Sequence, residues 1–470
     1  MKGYVFFNIA CLAVYVSISG VIGFTNVYPK LKNYPVRKGE DPGNPLFLTP
    51  LIQAGKIEDA RKQAAVQHKE MLDVNSYAGY FTVNKEYDSN MFFWFFPAKI
   101  NPKNAPVVLW LQGGPGATSM FGLFMENGPF QVTQNKTLRM RKYSWHISHN
   151  IIFLDNPVGT GFSFTKNDKG YATNETHVGR DVYHALQQFF ELFPELQENA
   201  FFVTGESYAG KYVPAVSHAI KDYNIKAKLK INLQGLSIGN GLTDPENQLV
   251  YSDYLYQIGL IDANAKNIFK QYEKQGVELI QKKKFNEAFE IFDKLINGDL
   301  SAPSLFKNLT GFTYYFNYLH SHDDNASDWM SEWIQRSDVR KAIHVGNCSF
   351  HTEDTTVEEH LKSDVMKSLA ILITDLTQHY RVLLYNGQLD IIVAYPLTEN
   401  YLQHLSWSGA AKYKTAPRKQ WWVDGELAGF TKTVDNLTEV LVRNAGHMVP
   451  ADQPRWALDL ITRFTHNKPF

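Results

Sequence analysis

The chain has 470 residues, of which 44% are hydrophobic and 20% are charged, as is usual for a globular protein with a large core. This length fits one large α/β domain with an insertion, or two domains. Lysine and arginine total 47, as do aspartate and glutamate, and this neutral balance gives no support to a nucleic-acid partner or an anionic membrane surface.

The N-terminus has the pattern of an export signal. Lys2 precedes a long apolar stretch that ends in small residues between Ser17 and Gly23. The alternative is a membrane anchor, because the stretch is just long enough to span a bilayer. Asn8, serines and glycines dilute it, so we predict a cleaved signal over residues 1–23. No later run of the sequence is long and apolar enough to cross a membrane.

Potential glycosylation sites follow this segment. One N-x-S/T sequon alone is often unused, but six behind an export signal favour glycosylation in the secretory route. The predicted location is therefore extracellular or a lysosome-like vesicle. The six sequons begin at Asn135, Asn174, Asn308, Asn325, Asn347 and Asn436.

Cysteine is scarce for a secreted chain. Of the two cysteines, Cys11 leaves with the predicted signal, so Cys348 has no partner within the mature chain. We predict a mature protein without an internal disulfide bond, in which Cys348 is a spare thiol. Pairing of Cys348 with another molecule is the minor alternative.

The predicted elements begin after an N-terminal arm, residues 24–75. "YAGYFTV" and "MFFWFFPAKI" suit an early antiparallel pair. Short apolar runs that end in polar or glycine-rich turns then alternate with helical patterns, which is typical of a largely parallel, buried sheet. These runs cover residues 105–112, 150–157, 200–207, 231–240, 381–388 and 439–446. The alternation predicts an α/β fold with active-site loops at the strand ends.

Residues 253–375 interrupt the alternation. Their sequence is charged and helical, and it predicts a mostly helical cap inserted over the sheet. The core is then divided into residues 76–252 and 376–470. The predicted fold class is α/β, specifically an α/β-hydrolase fold with a mostly parallel central sheet flanked by helices.

Ser207 lies in "VTGESYAG", between a predicted strand and a predicted helix. A serine on such a tight turn is a nucleophile elbow, which lifts the hydroxyl above the sheet and needs small neighbours. The usual G-x-S-x-G ends here in Ala209. The alternative role for this serine is a plain helix cap.

A nucleophilic serine needs a base, and the base needs an orienting carboxylate. In an α/β hydrolase these follow in the order Ser, Asp, His, on later strand ends. Asp390 comes just after the strand in "VLLYNGQLDII", and His447 just after the one in "VLVRNAGHMVP". Alone, Asp390 is an ordinary turn residue and His447 is one of 15 histidines. Their order and placement together predict a catalytic triad with Ser207.

An oxyanion hole needs two backbone N–H groups, one of them from the residue after the nucleophile. Tyr208 provides the first, and Gly114 of the "WLQGGPG" loop provides the second. A plain turn or a phosphate loop is the alternative for these glycines. No Lys-Ser/Thr follows these glycines, as a phosphate loop requires, and the chain has no G-x-G-x-x-G motif. A nucleotide site therefore has little support.

Beyond these residues, the chain resembles the serine carboxypeptidase family. The matching motifs occur in family order, span most of residues 75–465 and are highly specific as a set. They are "WLQGGPG", "ENGPF", "DNPVGTGFSF", "GESYAGKYVP", "IGNGLTDP", "YQIGLID" and "AGHMVP". The variants "QGGPG" and "GQLDII" are most similar to the vitellogenic-like branch. The resemblance implies an exopeptidase acting on peptide or protein C-termini, without a metal or other cofactor.

The resemblance also implies a site for the C-terminal carboxylate of the substrate. Glu206 is expected to bind that carboxylate with a shared proton, so its pKa should be raised and activity should favour acidic pH. Glu126 is implied as the hydrogen-bonding partner of Glu206. Gln112 and Gly113 are implied as further donors, and Trp110 as a wall of the same pocket.

The sequence departs from the family pattern at several positions. Gln112 stands where the family has Asn, which puts the placement of the substrate carboxylate in doubt. Gln388 replaces a frequent Asp near the triad. Ala117 and Val393 replace frequent cysteines, in keeping with the absence of internal disulfides.

Two other functions remain open at this point. An acyltransferase or esterase on the same scaffold would pass a similar acyl group to an alcohol, and sequence separates it poorly from a peptidase. A catalytically silent, secreted binding protein is a third option, against which the intact Ser207, Asp390 and His447 speak. The oligomeric state is left open, with a homodimer among the options.

Overall fold

The computed structural model describes residues 31–71, 74–300, 303–323, 327–352 and 355–470. The predicted signal, the start of the predicted N-terminal arm and the sequon at Asn325 lie outside these residues. Among the described helices, none combines the length and the apolar character needed to cross a bilayer.

Ten strands of the described chain form one sheet, in the order β1-β2-β6-β3-β7-β8-β9-β12-β11-β10, and β4 and β5 form a separate pair. The strands are β1 (Tyr77–Asn84), β2 (Ser89–Phe96), β3 (Val107–Leu111), β4 (Phe130–Val132), β5 (Leu138–Met140), β6 (Asn150–Leu154), β7 (Phe201–Glu206), β8 (Leu233–Gly239), β9 (Arg381–Gly387), β10 (Lys419–Val423), β11 (Glu426–Val434) and β12 (Leu437–Val442).

The middle of the sheet, from β6 to β12, is parallel, and both edges are antiparallel. This arrangement confirms the predicted α/β-hydrolase fold class. The early antiparallel pair is confirmed as β1 and β2, and each predicted parallel run contains a strand. The hairpin of β10 and β11 extends the sheet at one edge and was not part of the prediction.

Both faces of the sheet are buried, which explains why the strands are continuous apolar runs rather than alternating patterns. In β3, Leu109 and Leu111 enter the core on one face, while Val108 and Trp110 enter the core on the other. Successive side chains of a strand point to opposite faces. A strand covered on both sides must therefore be apolar at every position.

The helices cover these two faces and fill the long connection between β8 and β9. They are α1 (Thr49–Gln53), α2 (Ile57–Ala64), α3 (Ser119–Phe121), α4 (Glu175–Leu192), α5 (Ala209–Asn224), α6 (Pro245–Gln248), α7 (Tyr251–Gln257), α8 (Ala263–Gln281), α9 (Phe285–Phe292), α10 (Leu305–Thr310), α11 (Ser327–Ile334), α12 (Ser337–Ala342), α13 (Thr356–Val365), α14 (Ala370–Leu376), α15 (Tyr395–His404), α16 (Ala410–Thr415), α17 (Val449–Asp452) and α18 (Pro454–Thr465). The predicted cap over residues 253–375 falls within the stretch from α7 to α14.

The parallel strands share one direction, so their carboxyl ends meet at one edge. The loops after β3, β7, β8, β9 and β12 all leave from this edge. They carry the residues that the sequence analysis singled out. The sheet thereby brings together side chains that are far apart along the chain.

Candidate active site

Ser207 occupies the turn between β7 and α5 with φ of +64°, a left-handed backbone conformation that is uncommon for residues other than glycine. Backbone hydrogen bonds hold this turn. The Ser207 N–H donates to Gly239 O at 2.9 Å, and the Leu242 N–H donates to Ser207 O at 3.0 Å. Such strain persists only where the surroundings over-determine it, and it is common at catalytic sites.

The residues around Ser207 must be small because larger side chains would overlap neighbouring atoms. A Cβ atom on Gly205 would lie 2.5 Å from Leu111 O and 2.7 Å from Ala209 Cβ. The first position of the elbow motif therefore has room only for glycine, and the methyl group of Ala209 already lies beside it. This packing accounts for the G-x-S-x-A form of the motif.

Asp390 and His447 meet at the carboxyl ends of β9 and β12. His447 Nδ1 lies 2.8 Å from Asp390 Oδ2, and both side chains are completely buried. The His447 backbone is also tied to the cap connection, because its N–H donates to Phe316 O at 2.6 Å. The Phe316 and His447 rings lie 5.1 Å apart, centroid to centroid. The imidazole orientation is thus set from several sides.

The Asp390 carboxylate receives further hydrogen bonds from three donors. The N–H groups of Ile392 and Val393 donate to it at 3.1 and 3.2 Å. The side-chain amide of Asn240, directly after β8, donates to Asp390 Oδ2 at 2.8 Å. In turn the Gly387 N–H donates to Asn240 Oδ1 at 3.1 Å.

Asn240 is a site residue that the sequence analysis missed. The motif "IGNGLTDP" was used there only for the family resemblance. The available signal was the position of Asn240, since a polar residue directly after a buried parallel strand lies at the same edge as the residues after neighbouring strands.

The loop after β3 approaches the Ser207 turn very closely. A Cβ atom on Gly113 would lie 2.5 Å from Tyr208 N and 2.7 Å from Glu206 O. Gly114 has φ of +105°, a conformation that favours glycine. Gly114 and Tyr208, the predicted oxyanion-hole residues, line one cleft together with Ser207.

A second cluster lies behind this loop, built from the residues implied in carboxylate binding. Trp110 Nε1 donates to Gln112 Oε1 at 2.9 Å, which fixes the orientation of the Gln112 amide. Gln112 Nε2 then donates to Glu206 Oε1 at 2.8 Å and to Glu126 Oε1 at 3.1 Å. Trp110 is fully buried, and its hydrogen bond to Gln112 orients that side chain. Both amide hydrogens of Gln112 are used within the cluster.

Glu126 and Glu206, the carboxyl pair, are both completely buried and share a hydrogen bond. Burial raises the pKa of Glu126 to about 7. Burial, and then the neighbouring Glu126 carboxyl, raises the pKa of Glu206 well above its usual value. Two carboxyl groups can share a hydrogen bond only if one is protonated. The carboxyl pair therefore holds a proton directly beside Ser207.

The other residues singled out from the sequence are the asparagines of the sequons and Cys348. Asn135, Asn308, Asn347 and Asn436 are exposed, and Asn174 is half-buried as the N-cap of α4. Cys348 is a half-buried free thiol. No group of three or more His, Cys, Asp or Glu side chains in the described part of the chain is arranged to hold a metal ion.

Comparison with known proteins identifies the family of the chain. The family model described as "Serine carboxypeptidase" matches residues 66–467. The chain belongs to the serine carboxypeptidase family. It is accordingly an enzyme of the serine carboxypeptidase type, a hydrolase that acts on peptides. The family resemblance stated from the sequence motifs is confirmed.

Individual relatives cover nearly the whole chain. The venom serine carboxypeptidase of Apis mellifera is 72% identical over 455 residues, covering 96% of this chain and 97% of the relative. The vitellogenic carboxypeptidase of Aedes aegypti is 49% identical and covers 94% of each chain. The crystal structure of a prohormone-processing carboxypeptidase from Saccharomyces cerevisiae has a TM-score of 0.77 and 23% identity, covering 87% of this chain and 96% of that one. The last comparison supports the fold.

Replacing Asn240 by alanine should lower kcat with little change in KM. The Asn240 amide holds Asp390 in its orientation toward His447, and a hydrogen bond to a charged group contributes about 1.5–3 kcal/mol. We expect kcat to fall about tenfold to a hundredfold in steady-state hydrolysis of a blocked dipeptide. Asn247→Ala, at a position outside the triad, serves as the control. A full kcat in Asn240→Ala would contradict this role.

Replacing Gly113 by alanine should damage the oxyanion hole. The new Cβ has no room beside Tyr208 N, so the two loops must move apart. Loss of one oxyanion donor costs about a hundredfold to a thousandfold in kcat. Gly259→Ala is a control for backbone strain alone, because its positive φ strains an alanine while the space around its Cβ position is open. Equal kcat values for Gly113→Ala and the wild type would show that the close approach is unimportant.

Proposed function

We propose that the enzyme is a secreted carboxypeptidase that forms an acyl-enzyme on Ser207, with His447 as base and Asp390 as its orienting carboxylate. The observation that carries this proposal is the 2.8 Å hydrogen bond between the buried Asp390 and His447, at the sheet edge where the strained Ser207 turn also lies. The chain order of Ser207, Asp390 and His447 is also the one expected of an α/β hydrolase, which supports the proposal.

The proposed reaction has two halves. His447 takes the Ser207 Oγ proton as Oγ attacks the scissile carbonyl, and the N–H groups of Gly114 and Tyr208 stabilise the oxyanion. Collapse breaks the C–N bond, and the imidazolium gives its proton to the departing amino acid. A water molecule, deprotonated by His447, then attacks the ester carbonyl. Return of the proton to Ser207 Oγ releases the shortened peptide.

The carboxyl pair explains why the enzyme would act on chain ends. A protonated Glu206 can donate to the C-terminal carboxylate of a substrate, and Glu126 and Gln112 hold Glu206 in place. The Gly113 N–H is the further proposed donor. An ordinary esterase has no use for a protonated carboxyl group beside its nucleophile. The same cluster therefore favours the exopeptidase over the acyltransferase alternative.

The site implies activity on the acid side of neutral. Binding of the substrate carboxylate needs Glu206 protonated, and burial raises its pKa well above the usual value, so that form persists over the acidic range. The donor is lost as pH rises through that raised pKa, and binding then weakens. Catalysis also needs His447 in its neutral form, which can accept the Ser207 proton.

The proposed setting is the secretory route. The support is the apolar N-terminal stretch, the six sequons and the similarity to proteins named venom and vitellogenic carboxypeptidases. Four of the five sequons in the described residues have an exposed asparagine, which an oligosaccharide requires.

Replacing Ser207 by alanine should abolish turnover while leaving the fold intact. We expect kcat to fall by at least about 10⁴-fold, and a fluorophosphonate probe to lose its attachment point. His447→Ala should cost about as much, and Asp390→Asn somewhat less. Ser408→Ala, on the surface, should label and turn over normally. Normal peptide hydrolysis by Ser207→Ala would contradict the proposed mechanism.

Glu206→Gln tests whether Glu206 binds the C-terminal carboxylate of the substrate. The wild type should remove the last residue of blocked dipeptides, and amidated peptides should react poorly. Its KM should rise as the pH rises through the raised pKa of Glu206. Glutamine keeps a donor but cannot titrate, so KM in Glu206→Gln should vary much less with pH. Measurements of KM and kcat at each pH separate binding from catalysis. An unchanged KM profile would show that another group binds the carboxylate.

A further inference from the structure

The cleft above Ser207 has an acidic side that the proposed mechanism does not use. Its floor is Ser207 with Gly114 and Tyr208, and its roof includes α13 and the segment after α9. Two carboxyl side chains of this roof line the cleft. They are Asp299 and Glu358, here called the roof pair.

Contacts of α13 place Glu358 close to the oxyanion loop. A Cβ atom on Gly116 would lie 3.2 Å from Val357 Cβ, the side chain preceding Glu358. Glu358 and Val365 both line the cleft, so α13 presents two of its positions to the space above Ser207. The helix is therefore part of the wall that a bound peptide meets.

Glu358 is 4% exposed, and within the described residues no basic side chain pairs with its carboxyl. Its hydrogen-bond partner is the carboxyl of Asp299, itself 3% exposed. A third carboxyl, that of Asp293, adds to the negative charge nearby. A buried carboxyl with no positively charged partner is costly, so the site favours a cation.

The surroundings limit which partner fits. Asp293 is satisfied by the N–H groups of Asp299 and Leu300, at 2.5 and 2.9 Å, and Asp299 accepts a hydrogen bond from Asn297 Nδ2. Glu358 is the member of the roof pair whose hydrogen-bond partner is another carboxyl rather than an N–H donor. Aromatic rings line the same cleft and suit a long apolar stem with a charged end. These rings belong to Phe289, Phe292, Tyr315 and Phe316.

The position of this cleft relative to the carboxyl pair assigns it to one side of the scissile bond. The C-terminal residue of a substrate must extend toward Gln112 and Glu206, and neither of these lines the acidic cleft. The oxyanion residues Gly114 and Tyr208 do line it. The cleft is thus on the acyl side, where the penultimate residue of the peptide lies.

We infer that Glu358, backed by Asp299, forms a subsite that selects lysine or arginine as the penultimate residue of the peptide. This inference rests on the proposed carboxypeptidase function and names the substrates that it favours. The cationic end of the side chain meets the roof pair, and its alkyl stem lies against the aromatic rings.

Protonation of the roof pair is compatible with this binding. Burial, and then the Asp299 carboxyl, raises the pKa of Glu358 well above its usual value. Two such neighbours share one proton because both cannot ionise together without a counter-charge. The pair still carries one negative charge for the incoming cation, and the cation then favours loss of the shared proton.

Blocked dipeptides with one C-terminal residue and a varied penultimate residue test the subsite. Lysine is compared with norleucine, which has the same four-carbon stem without the charge. We expect the wild type to have a kcat/KM at least about tenfold higher for lysine, since pairing with a buried charge provides discrimination of this size. In Glu358→Gln the ratio should fall toward one, while kcat/KM for norleucine stays within about twofold.

Glu359→Gln is the matched control, because Glu359 is the exposed neighbour on the same helix and its loss should leave the ratio unchanged. A wild-type ratio of one or below, or an unchanged ratio in Glu358→Gln, would overturn the inference while the norleucine peptide still reports carboxypeptidase activity. If no peptide of the series lost its C-terminal residue, the proposed function would fail and the inference with it. Lysine placed at the C-terminus should give no comparable gain, and a gain only there would also overturn the assignment.

Discussion

The left-handed turn at Ser207 is the constraint on which the rest of the site depends. The turn is held by backbone hydrogen bonds to the end of β8, and it tolerates only glycine at positions 113 and 205. Because the two loops touch at backbone level, the Tyr208 N–H and the glycine loop keep their spacing without any side chain between them. A small movement of either loop would disturb the proposed nucleophile and the proposed oxyanion hole together.

Buried carboxyl groups lie near this turn, and in the proposed mechanism they give direction and selectivity to Ser207. The carboxyl pair, Glu126 and Glu206, holds a proton where the substrate chain end is proposed to bind. The roof pair, Asp299 and Glu358, leaves negative charge where a side chain of the substrate is proposed to lie. In each pair, burial makes full ionisation expensive. In the proposed complex this cost is offset when the substrate carboxylate binds the carboxyl pair and a cationic side chain binds the roof pair.

The two pairs come from different layers of the fold. The carboxyl pair belongs to the core of the α/β hydrolase, with Glu206 at the end of β7 and Glu126 in the connection between β3 and β4. The roof pair belongs to the helical stretch between β8 and β9, which also fixes His447 through Phe316. Chemistry and chain-end recognition are thus built on the sheet. The proposed preference for the penultimate substrate residue depends on the helical stretch between β8 and β9. The sequence of this stretch is not restricted to the apolar residues that a buried strand requires.

The sequence by itself determined the fold class, and it predicted the elbow and the two triad partners, because buried parallel strands are continuous apolar runs and functional residues follow them directly. It also pointed to Glu206, since an acid beside a nucleophile is unusual in such a turn. It could not locate Asn240, whose polar side chain acts on Asp390 across two strands, or the hairpin of β10 and β11. The roof pair was likewise beyond it, because 59 positions separate Asp299 from Glu358 in the chain and no local pattern joins them. Only the tertiary structure decided which carboxyl groups share a proton, because that depends on distances and burial that arise when separate loops pack against each other.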